Sequence, residues 1–103
     1  MEHQLKEIIE YYGIMKQLKY IHSEYFELDE AIISNEILKN EPIADKKYLK
    51  KHIAEEIADV MVMLEQFRLH YDIDEQMIKD FMEYKASRQI ERIEEESAKN
   101  DLV

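Results

Sequence analysis

Several residue types are missing or scarce in this chain of 103 residues, which has no cysteine, one glycine and one proline. The lack of cysteine excludes disulfides, thiolate catalysis and zinc sites built on cysteine. The scarcity of glycine and proline leaves little material for the turns that join β-strands. Hydrophobic residues nevertheless make up 46% of the chain, enough to form a core. The composition therefore predicts an all-α fold.

Positive charge is also scarce, with 14 Lys and Arg residues against 24 Asp and Glu residues and a net charge of −10. Nonspecific binding to a phosphate backbone depends on clustered Lys and Arg, so we expect no nucleic-acid partner. An acidic protein can still bind a phosphorylated small molecule if a divalent cation bridges the two.

Long apolar runs are absent as well, since no stretch approaches the roughly 18 residues of a membrane span. The first residues are too polar for a signal peptide. We therefore expect a cytoplasmic protein without a membrane partner. Residues 1–103 read as a single domain with a charged C-terminal tail from about 94. A chain this short buries only about 60 to 65% of its unfolded surface, which makes partner subunits plausible.

Apolar residues at steps of three and four predict four helices. We expect them at residues 3–12, at 14 to about 38, from Asp45 as N-cap to Tyr71, and after Asp74 as N-cap, with the sequence beyond Ser87 fraying. Gly13 and Pro42 should end the first two helices. The predicted inward stripes are Leu5, Ile8, Ile9 and Tyr12; Leu18, Ile21, Tyr25, Leu28 and Ile32; Ile53, Ile57, Val60, Leu64, Phe67 and Tyr71; and Met77, Ile78 and Phe81.

Carboxylates interrupt the apolar middle of the second and third helices. Glu24 and Glu27 lie along one flank of the second stripe, and Glu56 and Asp59 repeat that arrangement on the third helix. Acidic pairs at this spacing are common in so acidic a chain, and only their location sets these two apart. If the helices pack antiparallel, the four carboxylates converge, and their repulsion favours a bound Mg²⁺ or Mn²⁺. The alternative is ordinary boundary carboxylates, either paired with lysine or solvated.

The inward face of the fourth helix changes from apolar to cationic toward its end, with Lys85, Arg88 and Arg92 in line with Phe81. These cations could hold phosphates beside the metal. They could equally form salt bridges with Glu residues of the tail or with the acidic pairs.

The two acidic pairs resemble a known signature, E-x-x-E on one helix and E-x-x-D on the next. They stand here as Glu24-Tyr-Phe-Glu27 and Glu56-Ile-Ala-Asp59. With Gly13 and Gln17 at familiar distances before the first pair and a basic stretch from Lys85 to Arg92, the chain is similar to the MazG-like, all-α nucleoside triphosphate pyrophosphohydrolases over roughly residues 13–93. It departs from the family at Ser23, where a glutamate is frequent, and at Tyr20, where a lysine is frequent.

This resemblance implies a four-helix MazG-like bundle that is completed by homo-oligomerisation, as a homodimer or homotetramer. It implies hydrolysis of a nucleoside triphosphate, (d)NTP, to (d)NMP and pyrophosphate by metal-assisted attack of water on the α-phosphate. The implied ligands of Mg²⁺, with Mn²⁺ possible, are Glu24, Glu27, Glu56 and Asp59. Either Glu24 or Glu27 would be the catalytic base, and the implied substrate-binding residues are Lys85, Arg88 and Gln17.

A second hypothesis belongs to a different class of protein. Residues 57–64 are apolar nearly all round their helix, which calls for more cover than one small chain offers. The chain could therefore be a noncatalytic helical interaction protein that dimerises through its central helices, and the acidic residues would then have no catalytic role.

Overall fold

Four α-helices and no strand make up the part of the chain that the computed structural model describes, residues 1–42 and 45–101. They are α1 (Glu2–Tyr12), α2 (Ile14–Leu38), α3 (Lys46–His70) and α4 (Glu75–Asp101). The prediction of an all-α fold with four helices is confirmed for these residues. By its internal contacts the chain divides into two compact units, Met1–Asp72 and a second that begins at Ile73. The expected single domain over residues 1–103 stays a prediction.

Local chemistry sets the helix ends at the predicted places. Gly13 separates α1 from α2 at φ 85°, a positive angle that glycine adopts without steric cost. The side chain of Asp45 accepts a hydrogen bond of 3.1 Å from the backbone N–H of Tyr48, which caps α3. Asp74 Oδ1 accepts a bond of 2.8 Å from the N–H of Gln76 at the start of α4.

The fourth helix departs from the sequence prediction in two respects. Its C-terminal part was expected to fray beyond Ser87, but the helix continues to Asp101, and the last two residues of the predicted tail lie outside the described part of the chain. The tail is rich in Glu, Lys and Arg, good helix formers, and has neither glycine nor proline to stop it. Met77, Ile78 and Phe81, which were predicted to face a core, are exposed.

In the first unit, α2 and α1 both pack against α3. The α2–α3 pair is antiparallel, because Gln17 near the start of α2 meets Gln66 near the end of α3, while Glu24 and Glu27 meet Glu56 and Asp59 further along. The buried apolar residues of this unit are Leu5, Ile9, Ala31, Leu49 and Met63. Arg68 on α3 forms a salt bridge of 2.8 Å with Glu2 on α1, which links the two helices.

The predicted direction of the inward stripes is wrong in part. Leu18 and Tyr25 on α2 are 44% and 65% exposed, and Ile57 and Leu64 on α3 are 42% and 53% exposed. Ile8, Tyr12, Ile32 and Tyr71 are exposed as well. The residues that α2 buries are Gln17, Glu24 and Ala31, spaced seven apart on one face. Each helix is thus turned toward its polar flank, and this rotation brings the carboxylates into the helix contact.

None of the helices in the described residues is both long enough and apolar enough to cross a membrane.

Candidate metal centre

The four carboxylates singled out in the sequence meet between α2 and α3. Glu24 and Glu27 come from successive turns of α2, and Glu56 and Asp59 come from successive turns of α3. Each offers one oxygen, and the four oxygens all lie within 4.8 Å of one another. We call these four residues the carboxylate cluster. The antiparallel packing inferred from the repeated pairs produces this convergence.

Two oxygens of the carboxylate cluster are buried without any hydrogen-bond partner among the described residues, Oε2 of Glu24 and Oε2 of Glu56. The Glu24 residue is 7% exposed. A buried carboxylate oxygen without a partner is costly, since the charge has lost its hydration and gained nothing in exchange. Oxygen-only surroundings of this kind suit a hard divalent cation such as Mg²⁺ or Mn²⁺. The donor set therefore fits such an ion.

Electrostatics in the cluster disfavour the fully ionised state. Burial, and then the negative charges of Glu27 and Asp59, raise the pKa of Glu56 above its usual range. His52 acts in the opposite direction when charged, with Nε2 at 3.5 Å from Oε1 of Glu56. His52 stacks on Tyr48 at a centroid distance of 5.9 Å and lies at the outer edge of the site. A bound cation would offset the repulsion among the carboxylates that contributes to the raised pKa of Glu56.

Tyr20, which lies one helical turn before Glu24 on α2, forms a hydrogen bond with the Glu24 carboxylate. The hydrogen bond to Glu24 and the charge of that carboxylate raise the pKa of the Tyr20 hydroxyl. In the sequence, Tyr20 stands out only as a departure from the MazG-like pattern. Its position four residues before Glu24 was the available signal, because side chains at that spacing meet on a helix surface.

A cavity of about 690 Å³ opens beside the cluster, with Glu24 and Asp59 in its wall. Aromatic side chains Tyr12 and Tyr20 and the cations Lys16 and Lys19 also line it. The ammonium of Lys16 lies 5.0 Å from the centre of the Tyr12 ring. These two lysines were not predicted as site residues, although Lys16 and Lys19 precede Glu24 by one to two helical turns.

Gln17, predicted to bind substrate, lies in the wall of this cavity and is 6% exposed. Its Nε2 donates a hydrogen bond of 2.9 Å to Oε1 of Gln66, a residue that the sequence analysis missed. Gln66 is 2% exposed and lines the same cavity. Its position seven residues after Asp59, on the same face of α3, was the signal that could have found it.

Glu27 and Glu56 also border a second cavity of about 710 Å³, together with Phe26, Ser34 and His52. The carboxylate cluster is thus accessible from two openings. Glu27 is exposed, so water can reach its carboxylate directly.

Lys85 and Arg88, the other predicted substrate-binding residues, lie on α4 in the second unit and are exposed. The Arg88 guanidinium lies 6.0 Å from the ring centre of Tyr84. Their proposed contact with phosphate stays a prediction.

Comparison of the chain with family models, curated proteins and solved structures finds no match. The carboxylate cluster and its cavity are therefore the features that bear on function.

Proposed function

We propose that this protein is a Mg²⁺-dependent nucleoside triphosphate pyrophosphohydrolase of the MazG-like kind, which hydrolyses a (d)NTP to the (d)NMP and pyrophosphate. The observation that carries the proposal is the convergence of four carboxylates on the same small volume, two of them with a buried and unpartnered oxygen. Such a cluster is unfavourable alone and favourable around a divalent cation. Mn²⁺ could replace Mg²⁺, because it accepts the same oxygen ligands.

The four side chains have different surroundings and so would have different roles. Glu24 and Glu56 would hold the ion with their buried oxygens, while the exposed Glu27 and Asp59 would complete the protein's ligand set on the solvent side. The ion, when bound, would neutralise phosphate oxygens and make the α-phosphorus more susceptible to attack by water.

The residues around the cluster would bind and orient the substrate. Lys16 and Lys19 in the cavity wall would attract the phosphates, and the rings of Tyr12 and Tyr20 offer apolar faces to a base. A triphosphate that lies along this wall would place its phosphate chain next to the carboxylates.

We assign the role of general base to Glu27, because its carboxylate is exposed to water whereas that of Glu24 is buried and hydrogen-bonded by Tyr20. Glu27 would take a proton from a water molecule as that water forms a bond to the α-phosphorus. The bond from the α-phosphorus to the bridging oxygen would break at the same time, and pyrophosphate would leave with that oxygen.

Exposed apolar side chains support the accompanying proposal that the chain works as a homodimer or homotetramer. Those on α2 and α3 include Tyr25, Phe26, Ile33, Ile57 and Leu64. A second copy could cover them. The same observation favours the alternative function, a noncatalytic helical interaction protein, in which this surface is the purpose of the fold and the carboxylates are incidental.

The two functions separate in one assay. The protein is incubated with each of the four ribo- and four deoxyribonucleoside triphosphates and Mg²⁺, and pyrophosphate is measured, with EDTA replacing Mg²⁺ as control. The pyrophosphohydrolase releases pyrophosphate from at least one triphosphate, and EDTA abolishes the release. No pyrophosphate from any of the eight would overturn the proposal in favour of the interaction protein.

A further inference from the structure

A pair of buried amides lies in the wall of the cavity, away from the carboxylate cluster. Gln17 on α2 and Gln66 on α3 are joined by a hydrogen bond of 2.9 Å, and both are more than nine-tenths buried. Each lies seven residues from a carboxylate of the cluster, Gln17 from Glu24 and Gln66 from Asp59. Seven residues of helix correspond to about 10.5 Å. A ligand that lies in this cavity with its phosphates at the cluster would extend its sugar and base toward the amides.

The contact with Met63 favours one direction of the amide pair. Gln66 Nε2 donates to the Met63 sulfur at 3.8 Å, and a thioether can accept a hydrogen bond but cannot donate one. Rotating the Gln66 amide by half a turn would place its carbonyl oxygen against the sulfur and lose that contact. Oε1 of Gln66 consequently faces Gln17, so Gln17 must donate through its nitrogen.

This arrangement leaves the Oε1 atom of Gln17 as an acceptor. Among the described residues, Gln66 is the one side chain that hydrogen-bonds Gln17. Oε1 of Gln17 is not among the buried unpartnered oxygens, and Gln17 lines the cavity, so this acceptor is suited to a donor on a ligand. The volume of the cavity, about 690 Å³, is within the range of small-molecule sites.

We propose that Gln17 determines base recognition in this cavity by accepting a hydrogen bond from a ring N–H or amino group of the base. Gln66 and Met63 are positioning residues, because they act on the base only through Gln17. The proposal rests on the nucleotide substrate of the proposed function. It adds which atom reads the base and which two side chains orient that atom. A purely structural amide pair would affect stability and leave the choice of base unchanged.

The first test measures binding without hydrolysis or metal. Adenosine, cytidine, guanosine and uridine are titrated into the metal-free protein while the side-chain amide signals of Gln17 and Gln66 are followed by NMR. We expect at least one nucleoside to shift both signals. Its counterpart with every N–H of the base-pairing edge replaced by N-methyl should bind about tenfold more weakly. No shift with any nucleoside, or equal binding of the methylated form, would overturn the proposal.

A variant separates hydrogen bonding from the bulk of the added methyl groups. Gln17→Leu removes the acceptor and keeps a side chain of similar size. If the acceptor reads the base, this variant binds the nucleoside and its methylated counterpart with affinities within about twofold of each other. If Gln17→Leu still prefers the unmethylated nucleoside about tenfold, steric fit explains the preference and the assignment to Gln17 is wrong.

The positioning role of Met63 is tested with the triphosphates. Met63→Leu conserves volume but removes the sulfur acceptor, so the amide pair can rotate and Gln17 presents either its oxygen or its nitrogen. The ratio of kcat/KM between the best and second-best triphosphate should fall several-fold, mainly through KM. The matched control is Met61→Leu at an exposed position of α3, which should keep the wild-type ratio.

An unchanged ratio in Met63→Leu would overturn the positioning role. The two proposals fail separately. If the wild type hydrolyses no triphosphate, the proposed function fails, whereas the nucleoside titration still decides whether Gln17 reads a base. If triphosphates are hydrolysed and the titration shows no discrimination, only the present inference fails.

Discussion

The contact between α2 and α3 contains two polar layers that occupy equivalent positions on the helices. The carboxylate cluster contributes one of them. The other, which we call the amide layer, lies seven residues earlier on α2 and seven later on α3. Glu24, Glu27, Glu56 and Asp59 correspond in this way to Gln17, Tyr20, Met63 and Gln66.

The two layers differ in how their polar atoms are satisfied. In the amide layer, Gln17 and Gln66 bond to each other, and the remaining donor of Gln66 contacts a sulfur. In the carboxylate cluster, Tyr20 bonds to Glu24 and His52 approaches Oε1 of Glu56, yet Oε2 of Glu24 and Oε2 of Glu56 stay buried without a partner among the described residues. One backbone arrangement thus gives a neutral layer in which two buried amides bond to each other and an anionic layer that a divalent cation would stabilise.

The largest expected effect comes from making the cluster resemble the amide layer. Glu24→Gln replaces a buried carboxylate by the residue found at the equivalent position, 17. We expect pyrophosphate release to fall roughly 10²–10³-fold, because a charge that would hold the metal is lost while the shape is kept. Steady-state pyrophosphate assays measure this change.

The matched control for Glu24→Gln is Glu55→Gln, which makes the same change of charge at an exposed position beside Glu56. Its rate should stay within about twofold of the wild type. If Glu24→Gln is fully active and circular dichroism shows an intact helical fold, the carboxylate cluster does not take part in the reaction.

The next effect concerns ion binding and stability. A cation that binds only the folded cluster stabilises it by about 2.7 kcal/mol at a free concentration of 100 times its Kd. We expect Mg²⁺ or Mn²⁺ to raise the free energy of unfolding in urea for the wild type and to do so much less for Glu24→Gln. Gln66→Leu changes only the amide layer and should retain the gain. Equal stabilisation of all three proteins would assign the ion to another place.

The third effect is a change in unfolding free energy of similar size, and it concerns the amide layer alone. Gln66→Leu leaves the buried nitrogen of Gln17 without an acceptor, which should cost about 1–3 kcal/mol of unfolding free energy. Adding Gln17→Leu removes the orphaned group, so the double variant should recover part of the loss. Gln89→Leu, an exposed site on α4, is the matched control with little expected change. A Gln66→Leu protein as stable as the wild type would show that the bond contributes little.

Sequence reasoning predicted the helix ends well because they depend on local chemistry. Gly13, Asp45 and Asp74 act within a few residues of where they stand, and the structure places helix boundaries at all three. The repeat of two carboxylate pairs also identified the cluster residues, since antiparallel helices bring equivalent positions together.

The rotation of α2 and α3 could not be predicted in the same way. Apolar residues such as Tyr25 and Leu64 dominate the pattern, yet the chain leaves them exposed. A helix that is apolar nearly all round has no well-defined inward direction, so its apolar periodicity does not determine its rotation. Gln66 was missed for a related reason. One glutamine between apolar residues gives no sign that a second, 49 residues away, will bond to it.

The smallest effect is a pH dependence of the metal-free protein. It distinguishes the two layers because only the cluster contains carboxylates. The pKa of Glu56 is raised in the folded state by burial and by Glu27 and Asp59, so the folded protein binds this proton more tightly than the unfolded chain. The resulting stability is complete below the ordinary value of 4.5 and is lost as pH rises through the higher folded value. Near neutral pH, ionised Glu56 therefore destabilises the fold.

Removing the charge of Glu56 should raise the free energy of unfolding, whereas removing the amide of Gln66 should lower it. Glu56→Gln should be more stable than the wild type at pH 7 without metal, and the difference should shrink as pH falls toward 4.5. Urea unfolding in EDTA at several pH values measures it, with His52→Gln present in both proteins to remove titration of the neighbouring imidazole. Saturating Mg²⁺ should reverse the order at pH 7, because only the intact cluster binds the ion tightly. A gap that is constant with pH would mean that Glu56 titrates normally, and the repulsion that argues for a cation would then be absent.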